Sequence, residues 1–124
     1  MNKDEQKAIV LQFNEYINKQ NIDGLATLMT DDHIFIYSDN HIIHGKGKSL
    51  EAWREFFKLF PDYRNVFENL ELQYGFIVIT GHSICSDKRL DGPAIWTAKT
   101  KVNKVTEWRV YRDTPENRKQ LGIN

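Results

Sequence analysis

Three amphipathic helix patterns occupy much of the first half of the chain. Between Lys3 and Asn18, apolar residues recur at steps of three and four, which predicts one long helix with a buried stripe. The break at residues 21–24 precedes a shorter helix, for which Asn21 and Asp23 are both suitable N-caps. A loop at residues 45–49 leads into a third helix, with Ser49 as a suitable cap. The apolar stripes are Ala8, Ile9, Phe13, Tyr16 and Ile17 in the first helix, Leu25, Leu28 and Met29 in the second, and Leu50, Trp53, Phe57 and Phe60 in the third.

Strand patterns fill most of the remaining sequence. Two short strands, at residues 33–38 and 41–44, flank the turn pair Asp39 and Asn40. After Pro61 and Asp62, up to four longer strands are predicted at residues 63–74, 76–86, 94–102 and 105–113. The polar residues 115–124 predict a short helix or a coil. Because the helices gather first and the strands gather last, the pattern predicts an α+β fold.

Composition limits the classes of function. The chain has 124 residues, enough for one domain with a hydrophobic core, and we expect residues 1–124 to form that domain. Seventeen basic residues balance seventeen acidic ones and are scattered, so neither nucleic-acid nor membrane binding is predicted. The charged N-terminal segment is typical of neither a signal peptide nor a membrane span. Cys85 is the only cysteine, which excludes an intramolecular disulfide and favours a cytoplasmic location.

Three segments carry a resemblance to a known family. They are residues 21–33, the loop at residues 45–49 that leads into an aromatic helix, and the closing strand at residues 104–113. In order and spacing they resemble the nuclear-transport-factor-2-like superfamily across nearly the whole chain, and the closing strand is similar to that of its polyketide-cyclase (SnoaL-like) branch. The resemblance implies a cone-shaped roll, in which three helices of the N-terminal half pack on a curved antiparallel or mixed sheet. It also implies a homodimer. The wide end of such a cone is a typical place for a ligand cavity.

The resemblance also indicates where catalytic residues of well-studied members would fall. Ketosteroid isomerases of this superfamily use a Tyr on the first helix and Asp residues on the first and penultimate strands. The corresponding positions here are Phe13, Tyr37 and Ile95. Polyketide cyclases carry their acid–base Asp on the penultimate strand, but no carboxylate occurs between Pro93 and Val102. The chain therefore resembles the fold without this chemistry.

Two other ionisable residues are candidates for catalysis. Asp39 lies two residues after Tyr37, and a carboxylate at an aromatic cavity mouth would be desolvated and able to accept a proton next to a carbonyl. The other interpretation is that Asp39 and Asn40 simply form a turn. Strand alternation predicts that His82 faces the helices, where its near-neutral pKa suits an acid, a base or a ligand anchor. A partly buried histidine bonded to Thr80 or to a backbone carbonyl fits equally well.

The candidate ligand-binding residues are mostly aromatic. Alternation in the last strand places Trp108 and Arg112 on one face. If this face looks into the cavity, Arg112 lies at the rim, where a guanidinium can bind a carboxylate or an oxyanion. The alternative is an ion pair with Asp39. The predicted cavity-lining residues are Phe35, Tyr37, Trp53, Trp96 and Trp108.

Neither a metal site nor a cofactor is predicted. His41 and His44 point to opposite faces of a short strand, and no zinc-ligand spacing is present. Two functions remain. The first is a cofactor-free isomerase, cyclase or lyase that moves a proton on a hydrophobic carbonyl compound through Asp39 or His82. The second is a non-catalytic module that binds an apolar ligand or serves dimerisation.

Overall fold

The computed structural model describes residues 1–123, and its architecture is α+β, as predicted. Within these residues, four helices accompany one curved, unclosed six-stranded sheet. No helix of this part of the chain is long and apolar enough to cross a membrane. In chain order the elements are α1 (Lys3–Asn18), α2 (Ile22–Thr27), β1 (Met29–Ile36), β2 (Ile42–His44), α3 (Lys46–Leu59), β3 (Arg64–Gln73), β4 (Phe76–Ile84), β5 (Gly92–Lys101), β6 (Lys104–Arg112) and α4 (Pro115–Gln120).

The first two helices are fixed by side-chain caps. The Asn2 Oδ1 accepts a hydrogen bond from the Glu5 backbone N at 2.8 Å, and the Glu5 Oε1 accepts one from the Asn2 backbone N at 3.4 Å. This reciprocal pair is a capping box. Phe13, from the predicted stripe of α1, is fully buried. Asn21 caps α2, as its Oδ1 accepts a hydrogen bond from the Gly24 backbone N at 2.9 Å. Both caps satisfy backbone donors that the helix itself leaves free.

The sheet has the strand order β2-β1-β6-β5-β4-β3. β1 pairs in parallel with β6, with Phe35 opposite Trp108, and the other neighbouring strands are antiparallel. The register between β3 and β4 shifts next to Gly81, so that Glu68 is an extra residue in β3. A Cβ at position 81 would overlap the carbonyl oxygen of Val66. Glycine is therefore required for this bulge.

The two faces of the sheet have different partners. We call the face that packs against α1, α2 and α3 the inner face, and the opposite one the outer face. On the outer face, Val78 and Ile95 pack against Leu121, which follows α4 directly. β4 and β5 are consequently apolar on both faces. The inner face contributes Ile77, Ile79, Trp96, Ala98 and Trp108 to the main core.

Three predicted boundaries are wrong. α2 ends at Thr27, although the predicted stripe of the second helix extends to Met29. β1 begins at Met29, four residues before the predicted start, because Met29 already pairs with Val105 of β6. α3 begins at Lys46, so most of the predicted loop is helical. Gly45 is the N-cap, and its φ of +96° is readily adopted only by glycine. Ser49 lies buried inside the helix and does not cap it.

Candidate functional site

A cavity of about 130 Å³ lies between α3 and the inner face of the sheet. It is close to the ends of β1 and β6, and one residue of the loop between β4 and β5 reaches it. Its walls are mainly aromatic and aliphatic. The lining residues are Phe35, Tyr37, Ser38, Ala52, Trp53, Phe56, Tyr63, Leu90, Trp96, Trp108 and Val110.

A continuous row of aromatic rings forms one wall. Phe35 contacts Tyr37 at 4.7 Å and Trp53 at 5.4 Å between ring centroids, both edge to face. Phe56 contacts Trp53 at 5.8 Å and Tyr63 at 4.8 Å in the same geometry. Edge-to-face contacts are favourable for aromatic quadrupoles. The row fixes the shape of the wall, since each ring is held by the next.

Two tryptophans of β5 and β6 form the floor. Trp96 lies opposite Val110, and Trp108 lies opposite Ala98, so their side chains share the inner face. Both tryptophans are almost completely buried. The Phe67 ring lies 5.0 Å from that of Trp96. The two indoles therefore belong to the core as well as to the cavity.

The polar side-chain groups of the lining residues are three indoles, two phenols and the Ser38 hydroxyl. The Nε1 atoms of Trp53 and Trp108 are buried and have no hydrogen-bond partner among the described residues. Burial raises the pKa of Tyr37, and the nearby Asp39 carboxylate adds to the effect. Burial also raises the pKa of Tyr63. Both phenols are therefore neutral near pH 7.

The structure places five of the predicted ligand-binding residues in the lining of the cavity. Their role in ligand binding stays a prediction. Sequence reasoning missed Phe56, Tyr63 and Leu90 as lining residues. Phe56 follows Trp53 by three residues on α3, so helical periodicity could have found it. Leu90 comes from a loop, and no sequence pattern signals its position. The five predicted residues are Phe35, Tyr37, Trp53, Trp96 and Trp108.

Asp39 lies outside the cavity lining. Its side chain is exposed in the turn between β1 and β2, and its Oδ1 accepts a hydrogen bond from the His41 backbone N at 3.0 Å. The Asn40 residue that follows has a φ of +71°, which is typical of tight turns. The desolvated setting expected for the Asp39 carboxylate is therefore not found, and the geometry is that of the turn interpretation.

The predicted orientation of His82 is wrong. His82 lies on the outer face of β4, where its Nδ1 is 3.3 Å from the Oε1 of Glu68. Alternation separates the two faces of β4 but does not identify the one toward the helices, because both faces are apolar. His82 and the cavity are thus on opposite sides of the sheet. The alternative interpretation, a partly buried histidine bonded to Thr80 or to a backbone carbonyl, is correct in the partial burial, but the contact of His82 is with the Glu68 carboxylate.

Arg112 is on the predicted face but beyond the cavity. It lies opposite Ala94 near the end of β6, is exposed, and does not line the cavity. Within residues 1–123, no ion pair joins Arg112 to Asp39. The turn is instead contacted by Arg109, whose Nη2 donates a hydrogen bond to the Asn40 Oδ1 at 2.7 Å. Arg112 therefore has no ligand-binding geometry of its own in this structure.

The lining residues include no Asp, Glu, His, Lys or Arg. In the part of the chain that the structure describes, no group of three or more His, Cys, Asp or Glu side chains is placed to hold a metal ion. The cavity thus offers apolar surface and neutral hydrogen-bonding groups. Such an arrangement can bind and orient a molecule, but it has no carboxylate or imidazole to move a proton.

Residues 10–113 match the SnoaL-like domain family, and the chain belongs to this family. No curated protein sequence matches the chain. Solved structures show the same fold with little sequence identity. A Shewanella putrefaciens protein with a proposed identity as a SnoaL-like polyketide cyclase is 16% identical, with a TM-score of 0.76, over 97% of this chain and 87% of its own.

Two further solved structures show how widely the fold is used. A nuclear-transport-factor-2-like protein of unknown function from Cytophaga hutchinsonii is 13% identical, with a TM-score of 0.72 and coverage of 94% of both chains. An LEH-like epoxide hydrolase from M. tuberculosis is 13% identical, with a TM-score of 0.74, over 88% of this chain and 83% of its own. At these identities the likeness shows the fold alone, so activity must be argued from the cavity.

Proposed function

We propose that the protein binds a small hydrophobic molecule of about one aromatic ring and does not convert it. One observation carries this proposal: the cavity of about 130 Å³ is lined by aromatic residues, and its lining among the described residues includes no Asp, Glu, His, Lys or Arg. The protein would then be a binding member of the SnoaL-like family.

Cavity volume limits the size of the ligand. An apolar cavity of about 150 Å³ binds benzene in an engineered protein, whereas sites for drug-sized ligands span about 300–1,000 Å³. A volume of about 130 Å³ therefore suits one ring with a small substituent. Fused polycyclic compounds would require the aromatic wall to move.

Apolar contact, and not hydrogen bonding, selects the ligand in this proposal. The Nε1 atoms of Trp53 and Trp108 have no partner among the described residues, but they are too completely buried for a molecule in the cavity to reach them. The lining is mainly aromatic and aliphatic, which favours an apolar ring.

Dimerisation and location stay predictions. A homodimer through the outer face would have to avoid the area that α4 covers, and would use the neighbouring part, where Val66 and Ile84 are 38% and 42% exposed. Light scattering on the purified protein would decide this, because a monomer has a mass of 14.6 kDa. The cytoplasmic location rests on composition alone and is tested by cell fractionation.

Thermal unfolding with single-ring probes tests the proposal. Benzaldehyde and toluene at ten times their Kd should stabilise the protein by about 1.4 kcal/mol. That corresponds to a rise of about 5 °C in Tm for a chain of this size. Anthracene, with three fused rings, should give no shift. Absence of a shift with every single-ring probe up to its solubility would refute the proposal.

Two variants separate binding from the catalytic hypothesis. Asp39→Asn and His82→Gln should show the same ligand-induced shift as the wild type, because neither residue lines the cavity. A loss of binding in either variant, with unfolding otherwise unchanged, would contradict the non-catalytic proposal and support the hypothesis of acid–base catalysis. Proton exchange at the α-carbon of a bound ketone, followed by NMR in D₂O, would then measure that chemistry directly.

A further inference from the structure

The rim of the cavity, which we define as those lining residues that are not buried, comes from four segments. Two of them are the regular elements α3 and β6, and the other two are the turn after β1 and the loop between β4 and β5. In this loop, which spans residues 85–91, Leu90 is the residue that lines the cavity. The rim residues are Tyr37, Ser38, Ala52, Phe56, Leu90 and Val110.

The turn after β1 is tied to the sheet. The Arg109 Nη2 of β6 donates a hydrogen bond to the Asn40 Oδ1 at 2.7 Å, and the Asn40 backbone N donates one to the Tyr37 carbonyl at 2.9 Å. The Tyr37 backbone N in turn donates a hydrogen bond to the His41 carbonyl at 2.9 Å. This side of the rim is therefore held in place by β6.

The tip of the loop between β4 and β5 is hydrogen-bonded mainly to itself. The Leu90 backbone N donates a hydrogen bond to the Asp87 carbonyl at 3.0 Å, and the Arg89 Nη2 donates one to the Asp87 carboxylate at 2.6 Å. Among the described residues, no hydrogen bond of Lys88, Arg89 or Leu90 leaves the loop. The tip can therefore move as one body and keep these internal hydrogen bonds.

The two ends of this loop differ. At the first end, the Asp62 carboxylate accepts hydrogen bonds from the Ser86 backbone N at 3.0 Å and from the Cys85 Sγ at 3.5 Å, which ties this end to the segment after α3. At the second end, Gly92 has a φ of +121°, and a Cβ at this position would meet nothing within 4 Å. Glycine is the residue with the greatest freedom to change its backbone angles. The first end is thus an anchor, and the second end is suited to be a hinge.

Two contacts hold the tip against the rest of the protein. The Leu90 side chain is half-buried and packs against the main core. The Asp91 Oδ1 accepts a hydrogen bond from the Cys85 backbone N at 3.0 Å, although Asp91 is exposed and does not line the cavity. Opening the rim on this side breaks one hydrogen bond and one apolar contact, whereas the other rim segments belong to α3 and β6 or are tied to β6.

We propose that the loop between β4 and β5 is a hinged cover, which opens at Gly92 to admit a ligand to the cavity and closes over it with Leu90. This inference rests on the proposed function. The cover is closed in both the free and the ligand-bound protein, so a weaker contact at the tip costs both states the same free energy. Association and dissociation should then accelerate by the same factor, while Kd stays unchanged.

Asp91→Ala tests the cover without changing the lining of the cavity. With fluorobenzene as the probe, fluorine NMR gives Kd from a titration and koff from relaxation dispersion, and kon is their quotient. Loss of the hydrogen bond to Cys85 should raise kon and koff about threefold to tenfold, the range for one hydrogen bond, at unchanged Kd. Asp91→Asn keeps the acceptor and should retain the wild-type rates. Lys88→Ala is the matched control, because this exposed side chain of the same tip has no hydrogen bond or ion pair within residues 1–123.

Leu90→Ala removes the other contact of the tip and provides a second test. Here too kon should rise, although Kd should also rise, because Leu90 lines the cavity. An unchanged kon in either variant, shown to be folded by urea unfolding, would overturn the cover and leave the proposed function intact. A rise in koff alone would do the same, since the loop would then only contact the bound ligand. If fluorobenzene does not bind to the wild type up to its solubility, the proposed function fails, and the cover fails with it.

Discussion

Filling the cavity with a larger side chain is the most direct test of its role. Ala52 lies on α3 and lines the cavity. Ala52→Leu adds three carbon atoms, which contribute up to about 2.4 kcal/mol if they are buried without strain. An empty cavity of about 130 Å³ corresponds to roughly 3 kcal/mol at the cost known for cavities in protein cores. The added atoms thus have room, and overpacking should consume only part of the gain.

We expect Ala52→Leu to raise the free energy of unfolding by about 1–2 kcal/mol, or Tm by about 4–8 °C. The same variant should lose the stabilisation by benzaldehyde and toluene, because its own side chain occupies their place. Urea unfolding and ligand titration measure the two effects on one sample. Ala8→Leu is the matched control, because Ala8 is exposed on α1 although it belongs to the predicted apolar stripe. This variant should change stability by no more than about 0.5 kcal/mol and keep the ligand response. A folded Ala52→Leu protein with wild-type ligand affinity would refute the assignment of the site.

Other predictions concern the frame around the cavity. Gly81→Ala should lower the free energy of unfolding by about 3 kcal/mol, because the new Cβ meets backbone, whereas Gly47→Ala in open space on α3 should not destabilise. Burial lowers the pKa of His33, so the unfolded chain takes up a proton first as pH falls below about 6.5, and stability is lost over that range. Urea titrations from pH 5 to 7.5 should show a flatter profile for His33→Gln than for the wild type; equal slopes in the two proteins would contradict this. Asn2→Ala should cost about 1 kcal/mol of stability by removing the cap of α1, as measured by urea unfolding; an unchanged midpoint would show that the capping box contributes little.

The sequence was informative where a local pattern decides the structure. α1 has the predicted bounds, and Asn21 is one of the two predicted caps of α2. Apolar periodicity and cap chemistry are local, so they can be recognised in the sequence without knowing which elements pack together. Long-range pairing was harder: Met29 joins β1 only because β6 lies beside it.

The candidate site also contains some features that the sequence predicts and others that it does not. Large aromatics are recognisable as cavity or core residues from type and alternation, and all five that were predicted do line the cavity. The orientation of His82 was not predictable, since both faces of β4 are apolar, and the outer face is covered by Leu121, which follows α4, a feature of tertiary packing. The Tyr63 hydroxyl is hydrogen-bonded to Ser83, twenty residues away, and no sequence spacing reveals that contact.

The parallel pairing of β1 with β6 makes synthesis order matter for this fold. β1 sits between β2 and β6, yet β6 begins 68 residues after β1 ends, at Lys104 and Ile36 respectively. At typical elongation rates of about 5–20 residues per second, a nascent chain keeps this edge of β1 unpaired for several seconds. An unpaired edge is a template for contacts with other chains. The ribosome-bound chain should therefore need chaperone protection until β6 emerges, and release of a chain ending before Lys104 should give aggregates instead of a partly folded monomer.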